Sequence, residues 1–317
     1  TLEIFTMTTL ETPKTKTHPR VGVIGLGIMG SALANHLVTH GYQTYGYDPD
    51  ERSSKEAHII GVKTQLNATA VAQCSDLILL SLPNEEALNS TITQILNDPK
   101  VTALKPIIAD LSTLSIDCKV HNHDRLAKAG IEFFDCPISG TGAQAKTGDI
   151  AIYASGSNDS YHSLVSVFNC FARSVFYIGE FGQGTKMKIA ANLLVAIHNV
   201  ATAEALSLAV ASGLDADMFC EVIASGAGSS RIFELRSPLM AKGTYVPPTM
   251  KLAIWDKDMK IIKEFADDIG VSTPLFSATS PIYESAMAEG FGEQDTAAVF
   301  AVLQNMAEQK QAEINKS

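Results

Sequence analysis

The stretch VGVIGLGIMGSALANHL, residues 21–37, decides the fold. Its first five residues are small and apolar, which predicts a buried β-strand. Its second half predicts an α-helix, because Met29, Leu33 and Leu37 recur at intervals of four residues. A strand that passes directly into a helix is the repeating unit of a parallel α/β sheet.

Three glycines in GxGxxG spacing join this strand to this helix. Gly25 permits the tight turn, Gly27 lets the backbone approach a pyrophosphate, and Gly30 lets the helix pack closely on the strand. The phosphates would then lie at the helix N-terminus. The spacing alone arises by chance, and the strand-to-helix context makes it specific. The predicted cofactor-binding loop comprises Gly25, Leu26, Gly27, Ile28, Met29 and Gly30.

Asp48 ends the second predicted strand, in the region where a carboxylate binds the ribose 2′-hydroxyl of NAD. The same charge would repel the 2′-phosphate of NADP. Asp48 also precedes Pro49, so a simple turn residue is the alternative interpretation. Arg52 lies close enough along the chain to accommodate a 2′-phosphate. We therefore expect NAD as the cofactor, with NADP not excluded.

The rest of the chain divides into two parts. Further apolar runs alternate with helical patterns and predict strands at 43–47, 62–66, 76–82, 105–110 and 131–135. Helices alone are predicted later, at 217–224, 249–269, 274–288 and 294–311. The expected fold class is α/β, a Rossmann-type doubly wound parallel sheet over 20–182 followed by an all-α domain over 183–317. Residues 1–19 are Thr-rich, lack the apolar core of a secretory signal and are expected to be disordered.

Composition narrows the classes of partner. The net charge of −10 argues against nucleic acid and against an anionic membrane surface. Five scattered cysteines without a CxxC pair indicate reduced thiols in a cytoplasmic protein. His121 and His123 have no further ligands near them in sequence, so we interpret them as a solvated turn and expect no metal site.

Residues 189–214 form a nearly uncharged segment long enough to span a membrane. Asn192, His198, Asn199 and Glu204 interrupt it, however, and alanine outnumbers leucine and isoleucine. A helix apolar almost all round is more typical of a buried helix or a subunit interface. We therefore expect no membrane span and a homodimer or homotetramer.

Lys188 and Asn192 are four residues apart at the start of this helix, so their side chains share one face. A lone lysine in a first helical turn is usually solvated. A lysine that enters apolar surroundings is desolvated instead, which lowers its pKa from about 10.4. Such an amine can donate a proton to a developing alkoxide and take it back in the reverse direction. Lys188 is therefore the predicted acid/base group, with Asn192 on the same helix face.

Four blocks carry a resemblance to a known family: GVIGLGIMG (22–30), DCPISGTGAQAKTGDI (135–150), GQGTKMKIAAN (182–192) and WDKDMK (255–260). In this order they resemble the β-hydroxyacid dehydrogenases, which include 3-hydroxyisobutyrate, tartronate semialdehyde and threonate dehydrogenases. Glyoxylate/succinic semialdehyde reductases belong to the same group. The resemblance implies an NAD(P)-dependent oxidoreductase that interconverts a small β-hydroxy acid and its semialdehyde or keto acid.

The resemblance also implies individual roles. Lys188 matches the family's catalytic lysine, and Asn192 an asparagine that orients the substrate. The substrate-carboxylate segment matches Ser139, Gly140 and Thr141. The remaining cofactor-binding positions match Leu82, Pro83, Thr113 and Lys257.

Three departures from the family pattern bear on the substrate rather than on the reaction class. The family's paired asparagines are Ala191 and Asn192 here, and its Ser-Gly-Gly segment ends in Thr141. Trp255 is bulky at a position close to Lys257.

Three alternatives remain open. An imine reductase would share the fold but generally lacks the catalytic lysine, whereas Lys188 is retained here. A phosphogluconate-type decarboxylating dehydrogenase would have a longer helical domain and His-Asn in place of Ala191–Asn192. A non-catalytic NAD(P)-binding sensor would need only the glycine turn.

Overall fold

The computed structural model describes residues 18–314. The expected disorder of residues 1–19 therefore concerns a segment that, apart from its last two residues, lies outside the described residues. The last three residues of the predicted helical domain, 315–317, lie outside them as well.

The predicted parallel sheet is confirmed. Its first six strands pair in parallel in the order β3-β2-β1-β4-β5-β6. Their bounds are β1 Val21–Ile24, β2 Thr44–Tyr47, β3 Lys63–Thr64, β4 Leu77–Leu80, β5 Ile107–Asp110 and β6 Phe133–Asp135. The intervening helices are α1 Ile28–Thr39, α2 Glu51–Ile59, α3 Ala68–Gln73, α4 Glu85–Leu96, α5 Pro99–Leu104 and α6 Ile116–Lys128. Successive residues of β4 enter different apolar clusters, Leu77 and Leu79 on one face and Ile78 and Leu80 on the other, so helices cover both faces.

Three strands that the sequence analysis missed extend this sheet at its far edge: β7 Ile138–Ser139, β8 Ala151–Ser155 and β9 Ser174–Gly179. The helices among them are α7 Gly142–Lys146 and α8 Asn158–Phe168. β8 pairs antiparallel with β6 and β7 and parallel with β9. No residue of β9 is fully buried, so this strand lacks the continuous apolar run by which the inner strands are recognised.

The described residues after 182 are helical apart from turns and one isolated bridge, as predicted. They form α9 Gln183–Ala211, α10 Ala216–Ala224, α11 Arg231–Ala241, α12 Leu252–Asp268, α13 Pro274–Ala288, a 3-10 turn Thr296–Ala298 and α14 Val299–Ile314. The sequence analysis missed α11, which follows a Gly/Ser-rich stretch and contains Pro238. The interpretation of His121 and His123 as a turn was also wrong, because both lie on α6.

The long helix α9 is the centre of the helical domain. Its residues Ala196, Ala203 and Leu206 are buried in an apolar cluster with residues of α11 to α14. The amide of Asn199 is also buried and donates to the Tyr283 hydroxyl and to the Thr296 carbonyl, both at 3.0 Å. α9 is long and apolar enough to cross a membrane by length and composition, a property that core helices of soluble proteins share. We propose the domain boundary at Gly182, which has a φ of 89° and immediately precedes α9.

Candidate active site

The glycine turn between β1 and α1 has the geometry that a dinucleotide requires. Gly25 has a φ of +90°, and a Cβ there would lie 2.1 Å from the Ser81 carbonyl oxygen. A Cβ on Gly30 would lie 1.8 Å from the Gly25 carbonyl oxygen, so the helix can pack this closely only on glycine. Around Gly27, in contrast, a Cβ would meet nothing within 4 Å, which leaves open space in front of the backbone.

Backbone donors at this turn are available to a ligand. No side chain caps α1, and the N–H groups of Gly27, Ile28 and Met29 donate to no described residue. Unpaired N–H groups at a helix N-terminus bind phosphate. The residues present therefore fit the pyrophosphate of NAD or NADP.

Asp48 lies beside this turn, at the end of β2. Its Oδ2 accepts a hydrogen bond from the Leu26 N–H at 2.7 Å, and its Oδ1 accepts one from the Asp50 N–H at 2.8 Å. A carboxylate has about four acceptor positions, so two remain for ribose hydroxyls. Arg52 is paired with Glu56 at 2.9 Å, and Asp50 adds a second carboxylate close to Asp48.

Three of the other predicted cofactor residues, Leu82, Pro83 and Thr113, follow the carboxyl ends of the neighbouring strands β4 and β5. Parallel α/β sheets bind ligands at this edge, where the strand order reverses between β1 and β4. The Leu82 N–H donates to the Ser112 hydroxyl at 2.8 Å, and exposed Pro83 follows it. Lys257 reaches across from α12 and donates from Nζ to the Thr113 carbonyl at 2.9 Å. The helical domain thus contacts the cofactor edge through Lys257.

One cavity of about 360 Å³ collects the predicted catalytic and substrate-binding residues. Its lining includes Lys188 and Asn192 from α9 and Ser139, Gly140 and Thr141 from the β7–α7 segment. This segment also touches the cofactor turn, because a Cβ on Gly142 would lie 2.3 Å from Ile28 Cγ2. Groups that are up to 53 residues apart in the chain therefore line one cavity next to the cofactor turn.

Lys188 is a buried amine on the surface of this cavity. Burial lowers the pKa of Lys188 below its ordinary value; Asp258 opposes this shift, and Lys257 adds to it. The ammonium group donates no hydrogen bond to a described residue, so its protons are available to a ligand. A buried amine with free protons and a lowered pKa is suited to proton transfer.

Asn192, one turn after Lys188 on α9, is hydrogen-bonded to Asp258 on α12. The Asn192 amide donates to Asp258 Oδ2 at 3.0 Å, which leaves its Oδ1 and its second N–H without a described partner. Burial raises the pKa of Asp258, and Lys257 and Lys188 counteract the shift. Lys257 Nζ lies 3.8 Å from Asp258 Oδ1, an ion pair rather than a hydrogen bond. Asp258 therefore orients Asn192 and balances the charge of the two lysines.

The β7–α7 segment provides polar groups of two kinds. The Ser139 hydroxyl and the Gly140 N–H have no described partner, and Gly140 has a φ of +147° that favours glycine. The N–H of Thr141 instead donates to Gln144 Oε1 at 3.0 Å, and its hydroxyl accepts from the Gln144 N–H at 3.4 Å. Ser139 and Gly140 can thus receive an anion, whereas the polar groups of Thr141 are used to cap α7.

Sequence reasoning missed several residues of the cavity. Asp258, which reaches the cavity residue Asn192, lies next to Lys257 in the WDKDMK block, but only the lysine was assigned a role. Arginines 173, 231 and 236 also line the cavity and were not predicted. No local pattern marks them, because each comes from a different part of the chain or from the missed helix α11.

Comparisons with known families agree with this geometry. The profile of the NAD binding domain of 6-phosphogluconate dehydrogenase matches residues 20–179. The profile described as NAD-binding of NADP-dependent 3-hydroxyisobutyrate dehydrogenase matches residues 182–303. L-threonate dehydrogenase of Pectobacterium atrosepticum is 31% identical over 92% of this chain and 97% of its own length. The chain belongs to the β-hydroxyacid dehydrogenase family.

Two other relatives illustrate the range of this family. 2-(Hydroxymethyl)glutarate dehydrogenase of Eubacterium barkeri is 28% identical over 90% of this chain and 95% of its own. A structure of Mycobacterium tuberculosis 3-hydroxyisobutyrate dehydrogenase with L-serine has a TM-score of 0.81 at 24% identity, over 90% of this chain and 99% of that one, which shows the shared fold. This β-hydroxyacid dehydrogenase is accordingly an NAD(P)-dependent oxidoreductase that acts on the CH–OH group of small hydroxy acids.

Proposed function

We propose that the enzyme interconverts a small β-hydroxy acid and its semialdehyde or keto acid, with Lys188 as the general acid/base. The observation that carries this proposal is the buried amine of Lys188 in one cavity with Asn192 and the free donors of Ser139 and Gly140. A bound nicotinamide supplies the hydride acceptor or donor. The named substrates of the two curated relatives, threonate and 2-(hydroxymethyl)glutarate, are both hydroxy acids.

Each group has a separate task in this proposal. Ser139 and Gly140 bind the substrate carboxylate, and Asn192 holds the hydroxyl or carbonyl oxygen beside Lys188. In oxidation, the neutral amine of Lys188 accepts the hydroxyl proton as the C–H hydrogen leaves as hydride. In reduction, its ammonium form returns a proton to the developing alkoxide.

The proposal is tested by following the nicotinamide absorbance with a panel of hydroxy acids and semialdehydes. A β-hydroxyacid dehydrogenase turns over members of both groups. A sensor would bind NADH without turnover, and an imine reductase would reduce cyclic imines in preference to semialdehydes. Either of these two outcomes would overturn the proposal.

The direction of the pKa shift of Lys188 predicts opposite pH profiles for the two reactions. Oxidation needs the neutral amine, so its kcat/KM should rise about tenfold per pH unit until the pH reaches the lowered pKa. Reduction needs the ammonium form, so its kcat/KM should fall as the pH rises through the same pKa. Both rates are measured between about pH 6 and about pH 10, with a deuterated substrate to establish that hydride transfer limits the rate. An oxidation rate independent of pH, together with a full isotope effect, would contradict the role of Lys188.

Asp48 is proposed to select NAD. We expect kcat/KM for NAD to exceed that for NADP by at least about tenfold, because the carboxylate binds the ribose hydroxyls and repels a 2′-phosphate. Asp48→Asn should reduce this ratio by about tenfold or more. Asp98→Asn is the matched control, since the Asp98 side chain caps α5, a helix that contributes no cofactor residue. The same cofactor ratio in Asp48→Asn as in the unmodified enzyme would refute the assignment.

We further propose a homodimer or homotetramer, assembled in the cytoplasm, with no membrane or nucleic acid as partner. Leu194 and Leu208 of α9 and Val222 of α10 are exposed, Leu208 by 74%. Exposed apolar side chains on neighbouring helices are typical of an interface between copies. Light scattering should give twice or four times the chain mass, and Leu208→Glu should shift it toward the monomer. A monomeric unmodified enzyme at micromolar concentration would contradict the proposal.

A further inference from the structure

The active-site cavity carries more positive charge than one substrate carboxylate requires. Besides Lys188, it is lined by Arg173, Arg231 and Arg236, and Asp149 is the one acidic side chain among its described lining residues. The whole protein has a net charge of −10, so four cationic side chains around one cavity are unusual here, although Asp295, which does not line the cavity, pairs with Arg236. A local cluster of this kind indicates an anionic ligand.

Arg236 is the most deeply placed of the three arginines, with a side chain that is 6% exposed. Its Nη1 donates to the Thr249 hydroxyl and lies 3.5 Å from Asp295 Oδ1. Its Nε and Nη2 donate to no described residue. Neither of these two atoms is fully enclosed by the protein, so both are accessible to a ligand. Because Arg236 lines the cavity, we infer that these two nitrogens face it.

Asp295 does not use up the hydrogen-bonding capacity of Arg236. Asp295 Oδ2 accepts hydrogen bonds from the N–H and the hydroxyl of Thr249, at 2.7 and 2.8 Å, and from the Met250 N–H at 3.2 Å. Its Oδ1 accepts from the Ala297 N–H at 3.0 Å. A buried guanidinium with unused donors is costly unless a ligand accepts from them.

Arg231 begins the same helix α11 and lies at the more exposed rim. Arg231 Nη2 lies 3.8 Å from Asp149 Oδ2, and Arg173 Nε lies 3.3 Å from Asp149 Oδ1. Two arginines thus share one cavity-lining carboxylate, although Arg231 also pairs with Glu234 at 3.2 Å. We call Arg231, Ile232, Leu235 and Arg236, which line the cavity from α11, the α11 wall.

We propose that the α11 wall binds a second carboxylate of the substrate, so that the preferred substrate is a small β-hydroxy dicarboxylate. This inference rests on the proposed function and adds the substrate class. The planar guanidinium of Arg236 binds a carboxylate through two parallel N–H bonds, while the first carboxylate occupies Ser139 and Gly140. A cavity of about 360 Å³ has room for a diacid of this kind.

The test compares 2-(hydroxymethyl)glutarate with its monoamide, in which the carboxylate farther from the hydroxymethyl group is a carboxamide. The two have the same shape and differ by one negative charge. We expect kcat/KM for the diacid to be about 30-fold higher or more, because the amide leaves the buried guanidinium unpaired. Equal kcat/KM values for the two compounds would overturn the inference.

Variants then assign the difference to the α11 wall. Arg236→Gln should lower kcat/KM for the diacid by about 30-fold, mainly through KM, and change that for the monoamide by less than about threefold. Arg231 is exposed, so Arg231→Gln should have little effect on folding. It should lower kcat/KM for the diacid by a smaller factor than Arg236→Gln does. Lys242→Gln, an exposed charge at the C-terminal end of α11, is the control and should change neither. Equal losses for diacid and monoamide in Arg236→Gln would overturn the inference.

A binding measurement separates this inference from the proposed function. With NADH present, glutarate should raise the Tm more than butyrate at the same concentration, and Arg236→Gln should abolish the difference. If no hydroxy acid is turned over, the proposed function fails, while this comparison still decides whether a diacid binds. Equal shifts of the Tm by glutarate and butyrate would overturn the inference even if hydroxy monoacids are oxidised.

Discussion

Lys188→Ala is expected to lower kcat by about two to four orders of magnitude in both directions. The variant loses the proposed donor and acceptor of the substrate proton, and no other described amine takes its place, because Lys257 is bonded to the Thr113 carbonyl. NADH binding should change by less than about threefold, since the cofactor turn and Asp48 belong to the other domain. Initial rates measure kcat, and quenching of protein or enhancement of NADH fluorescence measures cofactor affinity.

Lys186→Ala is the matched control for this experiment. Lys186 lies two residues earlier on the same helix but is exposed, so its loss removes the same charge without touching the cavity. It should retain nearly full kcat. An unchanged kcat in Lys188→Ala would remove this residue from the mechanism, and equal losses in both variants would indicate a general electrostatic effect instead.

The sheet could be predicted from sequence where its strands are buried on both faces. β1 and β4 are fully buried, and their uninterrupted apolar runs could be recognised without knowing their neighbours. β7 is only two residues long and β9 has no fully buried residue, so their strand character depends on pairing that local sequence does not reveal.

The same distinction applies to the active site. Lys188 and Asn192 could be predicted as a pair because helix geometry fixes residues four apart on one face. Asp258 reaches Asn192 from another helix, 66 positions later, and Arg236 reaches the cavity from a helix that was missed. These contacts arise from tertiary packing. A charged residue on an amphipathic pattern is ordinarily interpreted as solvated, which is why such groups were not assigned.

Lys119 is the clearest example of such a group. Its replacement is expected to cause a large loss of stability. The sequence of α6 is typical of a surface helix, yet Lys119 is completely buried between two strand ends. Its Nζ donates to Asp135 Oδ1 and to the Ser112 carbonyl, both at 2.7 Å, and forms an ion pair with Asp110 Oδ2 at 3.0 Å. Burial alone would lower the pKa of Lys119, but the two carboxylates outweigh it and raise that pKa above its ordinary range.

This buried cluster also holds the start of α9 against the sheet. Asp135 accepts hydrogen bonds from the N–H and the hydroxyl of Thr185, both at 2.7 Å. The adjacent Gly184 N–H donates to the Ser155 hydroxyl at 2.9 Å, and that hydroxyl in turn donates to the Asp135 carbonyl at 3.0 Å. Lys188 follows Thr185 by three residues on the same helix. The cluster therefore connects the folding of the sheet to the position of the proposed general acid/base.

Lys119→Ala should lower the free energy of unfolding by about 3–5 kcal/mol, because it leaves two buried carboxylates without their cation. That is a large share of the roughly 5–15 kcal/mol typical of a folded domain. Urea unfolding measures the loss, and Lys128→Ala, at an exposed position near the end of the same helix, should stay within about 0.5 kcal/mol of the unmodified enzyme. The double variant Lys119→Met with Asp110→Asn should lose less free energy of unfolding than Lys119→Ala. It removes the cation together with one of the two carboxylate charges that the cation balances. A loss below about 1 kcal/mol in Lys119→Ala would mean that water or rearrangement neutralises the carboxylates and that the cluster does not hold α9 in place.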